Sequence, residues 1–324
     1  MSESVSLGFV VKPLARPELR SHDSRRWQNS PHLSVSLAYL RDLFGYLSTT
    51  GIKMYRMSSD LAPYAAHPNM PQFHNQVAEC ADELAEMGAL ARRIGLRLSF
   101  HAVAATVLNS PDPSVAANAA ADLTVLAAIL NGMGVGPEAV VVTHVGGVYG
   151  SPITALERCA RAIDALPEPT RSRLVLENDD VRFGVEDVLW VHRQTGVRLA
   201  FDRLHHCLKG WQTMSEREAL AACLATWPEG VRAKIHWSTP RTEWLVEEQR
   251  EGQPPRVTRT RWTYHSDYVN PFEFIDFMRN ASSLPPFDIM LEVRAKDIAL
   301  IQLRRDLVLY APDVASRFNP AGIP

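Results

Sequence analysis

This 324-residue chain has few cysteines and no long apolar run. Its four cysteines, Cys80, Cys159, Cys207 and Cys223, follow no paired spacing. This argues against a disulfide-stapled secreted fold and indicates reduced thiols. No apolar run approaches membrane-spanning length, and residues 1–8 lack the basic-then-apolar order of a signal peptide. We therefore expect a cytoplasmic protein with no membrane partner.

The chain also lacks an excess of positive charge, internal repeats and low-complexity linkers. Its formal net charge is −2 at neutral pH, so no global basic field points to nucleic acid, although local basic patches remain compatible with it. Because 46% of the residues are hydrophobic, the chain can bury one large core. We predict a single domain over residues 1–324.

Short apolar runs are present instead, and they recur along the whole chain. Most of them end in polar residues, and amphipathic helical patterns separate them. Strand and helix alternating eight times predict an α/β protein with a (β/α)8 TIM barrel. An open doubly wound sheet fits less well, because its chemistry would concentrate at one switch point. The predicted strands are 7–11, 52–57, 96–100, 139–143, 174–177, 197–201, 231–235 and 287–291. The predicted helices are 33–48, 77–94, 115–132, 152–165, 185–195, 215–226, 271–280 and 295–308.

Residues 241–262 depart from this alternation. Two runs of alternating residues flank a turn at Gly252-Gln253-Pro254-Pro255, which predicts a β-hairpin inserted after strand 7. Strand alternation on the second arm would place Arg259 and Arg261 on one face. Such an arm is either a solvated charged surface or a lid that faces substrate.

Imidazoles and carboxylates collect at the predicted strand ends. Buried charges are strongly unfavourable unless they are paired or coordinate a metal. Mixed imidazole and carboxylate ligands suit Zn²⁺, Mn²⁺ or Fe²⁺, and so many of them imply more than one ion bridged by a carboxylate. Glu177, at the end of the central apolar run, is the natural bridge. The candidate ligands are His101, His144, Glu177, Asp202, His205, His236, His265 and Glu292.

Lys234 lies two residues before His236, so strand alternation directs both side chains inward. A lysine among metal ions is expected to be neutral, to be carbamylated into a ligand, or to contact phosphate. A lysine at the edge of the core, with no chemical role, is the plain alternative.

Short segments from strand 2 onward carry a family resemblance: Tyr55-Arg56-Met57-Ser58-Ser59, His67-Pro68, Ser99-Phe100-His101, His144-Val145-Gly146-Gly147, Leu176-Glu177-Asn178-Asp179, Phe201-Asp202 with His205-His206, Lys234-Ile235-His236, and His265-Ser266-Asp267-Tyr268. They resemble the UV damage endonuclease family and, more distantly, endonuclease IV, which shares the barrel. The resemblance implies metal-dependent hydrolysis of a phosphodiester on the 5′ side of a lesion in double-stranded DNA. It also implies roughly two or three divalent ions, Mn²⁺ or Zn²⁺, with iron also compatible.

Residue roles follow from the same resemblance. It implies that Glu177, Asp202, His236 and Glu292 hold a central ion, that His101 and His144 serve a second ion with Glu177, and that His205 and His265 serve a third. For Lys234 it favours the ligand role, and it places His67 near the scissile phosphate. The expected catalytic residues are therefore Glu177, Lys234 and His67.

Three departures from the family pattern concern substrate recognition. Where relatives carry a proline and then a Gln-aromatic pair that enters the duplex, this chain continues from His101 as Ala102-Val103-Ala104-Ala105. The loop after the first strand is rich in arginine, and the hairpin is long. A small-molecule metalloenzyme, an isomerase or metal-dependent oxidase, is therefore the alternative to a DNA repair endonuclease. The predicted substrate contacts are Lys12, Arg16, Arg56, Ser59, Asn178, Arg259 and Arg261, with Arg20, Arg25 and Arg26 as further phosphate anchors.

Overall fold

The computed structural model describes residues 4–209, 213–247 and 254–318. Eight parallel strands in these residues form a nearly closed barrel, which confirms the predicted (β/α)8 TIM barrel. In chain order the strands are β1 (Leu7–Val10), β2 (Met54–Arg56), β3 (Arg97–His101), β4 (Val140–His144), β5 (Leu174–Glu177), β6 (Arg198–Ala200), β7 (Ala233–Trp237), β8 (Leu245–Glu247), β9 (Arg256–Thr258) and β10 (Phe287–Leu291), of which β8 and β9 lie outside the barrel. Neighbouring barrel strands follow the order β6-β5-β4-β3-β2-β1-β10-β7.

The barrel closes between β6 and β7, just beyond the end of β6. A parallel bridge joins Asp202 to His236, and the His236 N–H donates to the Phe201 carbonyl at 2.9 Å. Two residues predicted as metal ligands are thus held side by side by the backbone contact that completes the cylinder.

Helices surround the barrel, and each predicted helix begins within two residues of its expected start, whereas the short helices at 168–171, 203–208 and 312–315 were not predicted. Ser151 caps the helix that opens at Pro152, and Ser215 forms a capping box with Glu218. The predicted helix 77–94 is instead divided at Cys80 into two helices. The helices are α1 (Leu33–Thr49), α2 (Gln76–Glu79), α3 (Ala81–Arg93), α4 (Pro113–Gly132), α5 (Pro152–Ala165), α6 (Glu168–Arg171), α7 (Val185–Thr195), α8 (Arg203–Leu208), α9 (Glu216–Leu224), α10 (Pro271–Asn280), α11 (Lys296–Tyr310) and α12 (Pro312–Ala315).

Helix α4 is more apolar than expected. The helix has 20 residues, and an 18-residue window of it has a mean hydropathy of 1.5, so by length and composition alone it could cross a membrane. It is the one such helix among the described residues. In this fold α4 packs against β4, and Leu123, Ile129 and Leu130 on its inner face are fully buried. A core helix passes the same test, so this one is weak evidence for a membrane.

Polar side chains fill the barrel interior in successive layers. At the amino-terminal end, Arg97 pairs with Asp288 at 2.8 Å, and one layer higher Lys234 Nζ donates to Ser99 Oγ at 3.0 Å. Because side chains alternate along a strand, His101 faces the same side of β3 as Ser99, and His236 faces the same side of β7 as Lys234. The inward-facing residues of the lower layers therefore lie on the same strand faces as the candidate ligands at the carboxyl ends.

The insertion after β7 is a hairpin, as predicted, but its arms are shorter. Strand β8 pairs with β9 in antiparallel register, with Val246 opposite Val257. Residues 248–253, which include the first half of the predicted turn, lie outside the described residues. Strand β9 ends at Thr258, so Arg259 and Arg261 lie in the loop beyond it. The expectation that strand alternation places both arginines on one face is therefore wrong.

Candidate metal centre

Glu177 lies at the centre of the barrel mouth and contacts imidazoles on both sides. Its Oε2 lies 2.8 Å from His101 Nε2 and 3.6 Å from His144 Nε2. Its Oε1 lies 2.8 Å from His236 Nδ1 and 3.5 Å from His205 Nδ1. The Glu177 side chain is only 1% exposed. One buried carboxylate thus joins four histidines that come from four different strand–helix units of the barrel.

Asp202 and Asn178 form a rigid pair next to Glu177. Asp202 caps helix α8, because its Oδ1 accepts from the His205 N–H at 2.8 Å. The Asn178 amide bonds both the N–H and the carbonyl of Asp202, at 2.9 Å and 3.0 Å. Asn178 was predicted to contact substrate, but its side chain is fully buried and positions Asp202.

Glu292, at the end of β10, completes the cluster. Its Oε1 lies 3.1 Å from His236 Nδ1 and forms a close ion pair with Arg56. Its Oε2 lies 3.9 Å from His265 Nε2. Arg56 was predicted to contact substrate, but it is buried and its guanidinium compensates the Glu292 charge. His265 is brought to the mouth by the base of the hairpin, where a bridge joins it to Pro240.

The outer histidines show the hydrogen-bond pattern of metal ligands. A ligating imidazole usually directs its other nitrogen to an oxygen acceptor, which orients the ring and fixes its tautomer. Four candidates place Nδ1 beside such an oxygen: His101 at the Ala102 carbonyl (2.7 Å), His144 at the Glu177 carbonyl (3.3 Å), His205 at the Asn178 carbonyl (2.9 Å), and His265 at the Ser238 hydroxyl (2.8 Å). This arrangement leaves the Nε2 atoms of His101, His144 and His265 facing the carboxylates.

Three sets of ligand atoms in the described residues lie close enough to hold a metal ion, with all atoms of a set within 4.8 Å. They are His101-Glu177-His236, His144-Glu177-His205 and Glu177-Asp202-His236-Glu292. Glu177 belongs to every set, as a bridging carboxylate would. The third set matches the central ion implied by the family resemblance. The other two group the histidines differently from that resemblance, and His265 belongs to none.

The electrostatics of this cluster fit bound cations. Burial and the nearby Glu177 and Glu292 raise the pKa of Asp202 to about 7, although His205 opposes the shift. Asp202 Oδ2 is buried without a hydrogen-bond partner. Burial lowers the pKa of His236 to about 4, so its ring is neutral and able to ligate. An orphaned carboxylate oxygen beside the neutral His236 imidazole and two further carboxylates is a donor set that suits divalent metal ions.

Lys234 lies directly beneath this layer and is fully buried. Burial, assisted by the positive charges of Arg56 and Arg97, lowers the pKa of Lys234 well below its usual range. Its amine donates to Ser99, two residues before His101. Because no part of Lys234 reaches the surface, the geometry argues against direct contact with a DNA phosphate.

Two cavities share lining residues in the loop after β3, and the smaller of them borders the centre. A cavity of about 200 Å³ is lined by His144, His205 and the loop residues, and a cavity of about 710 Å³ is lined by Ser59 and His67. Val103, Ala104 and Ala105 stand exposed between them. His67 and Ser59, both predicted from the family resemblance, therefore lie beside the mouth and outside the ligand cluster.

The predicted basic contacts are distributed over the surface. Lys12, Arg16, Arg20, Arg25 and Arg26 are exposed. Arg16 pairs with Glu18, Arg25 pairs with Asp23, and Arg20 lies over the Tyr39 ring. Arg259 and Arg261 are exposed beyond the hairpin.

Ser99 and Ser238 were not predicted from the sequence, and neither was the positioning role of Asn178. Ser99 could have been found by counting two residues back from His101 on the same strand face. Ser238 leaves no comparable signal, because its partner His265 lies 27 positions further along the chain.

The fold and this site together define a TIM-barrel protein with a candidate multi-metal centre at the carboxyl ends of its strands. Comparison with known proteins narrows that class. The model of the family described as UV-endonuclease UvdE matches residues 22–316. This chain therefore belongs to the UvdE family, as its motifs indicated.

Individual relatives agree with this membership. The UV DNA damage endonuclease of Bacillus velezensis is 30% identical over 289 residues, which cover 88% of this chain and 85% of that protein. The crystal structure of SacUVDE has a TM-score of 0.78 and 27% identity, covering 94% of this chain and 98% of that one. The 3-keto-D-glucoside 4-epimerase of E. coli has a TM-score of 0.53 at 10% identity. That likeness shows the fold alone and does not favour the small-molecule alternative.

Proposed function

We propose that this chain is a metal-dependent DNA endonuclease that hydrolyses a phosphodiester 5′ of a lesion in double-stranded DNA. The observation that carries the proposal is the buried Glu177 carboxylate, shared by three potential ligand sets within a single barrel mouth. Membership of the UvdE family supports DNA as the partner.

The residues that would hold the ions are the eight predicted ligands. We expect roughly two or three divalent ions, Mn²⁺ or Zn²⁺ with iron compatible, from the number of ligands and usual coordination numbers. When bound, such ions neutralise phosphate oxygens, activate water and stabilise the departing oxyanion. Because Glu177 belongs to all three ligand sets, its carboxylate would be shared between ions bound at neighbouring sets. His265 belongs to none of the three sets. It would bind an ion together with His205 or Glu292.

The rest of the site prepares the ligands and the substrate. Arg56 compensates Glu292, Asn178 orients Asp202, and Ser238 orients His265. His67 lies at the edge of the larger cavity and is half-buried, so its imidazole could meet a phosphate beside the centre. We further propose a cytoplasmic location, because all four cysteines are free thiols.

Plasmid nicking tests the proposed function. The purified protein is incubated with ultraviolet-damaged, abasic and undamaged supercoiled plasmid, and its metal content is measured in parallel. We expect nicking of damaged plasmid, roughly two or three ions per chain, and loss of nicking after chelation. Full activity after exhaustive chelation, or no nicking of any damaged plasmid by metal-loaded protein, would refute the proposal.

Replacing Arg259 and Arg261 with alanine should flatten the salt dependence of DNA binding. Both guanidinium groups are exposed near the candidate centre, and removing one arginine–phosphate interaction lowers the slope of a log–log plot by about one unit. Fluorescence anisotropy at several salt concentrations measures this slope. The matched control is Arg93→Ala, which removes an exposed arginine from α3. An unchanged slope in the double variant would show that Arg259 and Arg261 do not bind DNA phosphates.

Lesion preference should follow from the loop after β3. Extruding a stacked nucleotide costs a few kcal/mol, which inserted side chains help to offset. Val103, Ala104 and Ala105 are exposed at the mouth but offer neither a ring nor an amide. We therefore expect abasic sites to be cut roughly tenfold or more faster than pyrimidine dimers. Equal or faster incision of dimers in single-turnover assays would show that this loop does not limit lesion choice.

A further inference from the structure

The base of the hairpin carries exposed aromatic rings beside the candidate metal centre. Trp262 is 56% exposed and Tyr264 is 50% exposed, although both belong to residue types that are usually buried. We call these two residues the aromatic rim. Clustered exposed rings on a soluble protein commonly mark a binding surface.

The aromatic rim is held close to the centre by short chain connections. Trp262 precedes His265 by three residues, so their Cα atoms lie within about 11 Å of each other. Tyr264 N–H donates to the Arg261 carbonyl at 3.0 Å, and the Arg241 N–H donates to the Tyr264 carbonyl at 2.7 Å. The turn that presents Trp262 is therefore tied to the same strand exit that positions His265.

Positive charge accompanies the rim. The Arg259 guanidinium lies 5.7 Å from the centre of the Trp262 ring, and Arg256 and Arg261 are also exposed. Cationic groups that follow a phosphate backbone, together with an aromatic face, are the elements that bind unpaired nucleotides. Across the mouth, Val103, Ala104 and Ala105 provide no ring that could perform this task.

We propose that Trp262 stacks on an unpaired DNA base beside the cleavage site, with Arg259 holding the adjacent phosphate. This inference rests on the proposed function and adds a residue that recognises the substrate. A base opposite an abasic site has no pairing partner, and its π-face is available to the indole. Stacking on a base that is already unpaired fits the expected preference for abasic lesions.

The test uses a duplex with 2-aminopurine opposite an abasic-site analogue. Stacking quenches the emission of 2-aminopurine, so the wild-type protein should quench it on binding. Trp262→Ala should lose the quench and weaken binding roughly tenfold. Trp262→Phe, which keeps a ring, should restore most of both. Tyr310→Ala, which removes a 52% exposed ring from α11, is the control and should behave as wild type.

Salt dependence separates stacking from a general loss of charge or fold. Trp262→Ala should weaken binding by a similar factor at every salt concentration, because stacking releases no counterions. If the wild type cuts this duplex while Trp262→Ala keeps the same affinity and quench, the stacking proposal is wrong and the proposed function stands. If the wild type neither binds nor cuts this duplex at low salt, and also does not nick damaged plasmid, the proposed function is wrong and the stacking proposal is wrong with it.

Discussion

Glu177→Gln is expected to remove bound metal and to lower DNA nicking by about a thousandfold or more. Both Glu177 oxygens are in use, one beside His101 and the other beside His236. A glutamine of the same shape keeps one oxygen and presents an NH₂ group where the other accepted, so it cannot bridge two cations. Losing a bridging charge that is worth several kcal/mol in the transition state accounts for this magnitude.

Metal analysis and single-turnover nicking measure the two parts of this prediction separately. Glu168→Gln provides the matched control, since it makes the same chemical change at an exposed position on α6. Thermal unfolding of both variants checks that the barrel persists. Retention of metal and of activity by Glu177→Gln would show that Glu177 is not the bridge.

Lys234→Met is expected to abolish activity while leaving the protein folded. The side chains have similar volumes, and Lys234 is completely buried with one hydrogen bond, to Ser99. Burial keeps the Lys234 amine neutral, so an apolar group of similar size replaces a polar group that is incompletely hydrogen-bonded in the core. The melting temperature should therefore stay constant or rise, which separates loss of chemistry from loss of fold.

Metal occupancy then distinguishes the roles considered for Lys234. If Lys234 is a carbamylated ligand, Lys234→Met should lower metal occupancy together with turnover. Wild-type protein prepared with bicarbonate should then carry the extra mass of one CO₂, located on Lys234. In that reaction the neutral amine attacks CO₂ and releases one proton. A phosphate contact predicts full occupancy with slow turnover. Unchanged occupancy and turnover would assign Lys234 to the core.

Much of the fold follows from local pattern. Strands of a parallel barrel are buried on both faces, so each reads as a short apolar run, and its last residue faces the mouth. For that reason His101, His144, Glu177 and His236 could be assigned to one site before any contact was known. Helix starts at Ser151 and Ser215 were equally local, since a cap is a property of neighbouring residues.

The hairpin shows how far alternation can be trusted. Its existence was predicted from two alternating runs around a turn, and β8 and β9 confirm it. Its extent was not, because strands β8 and β9 lie outside the barrel sheet and pair only with each other. The second arm leaves the ladder at Thr258, and the orientation of Arg259 is then determined by its contact with Trp262.

The sequence by itself determined the barrel, the set of candidate ligands and the family. Only the tertiary structure decided how the candidate ligands group around Glu177 and which oxygen orients each imidazole. It also decided that the Asn178 amide binds the backbone of Asp202. Apart from the contact of His101 with the neighbouring Ala102 carbonyl, those contacts join residues 24 to 76 positions apart and depend on the closed cylinder, which a bridge between Asp202 and His236 completes. The periodicity of a sequence indicates to which side of its own strand a side chain points. A metal centre depends in addition on the distances between strands, and these are determined by the closing of the barrel.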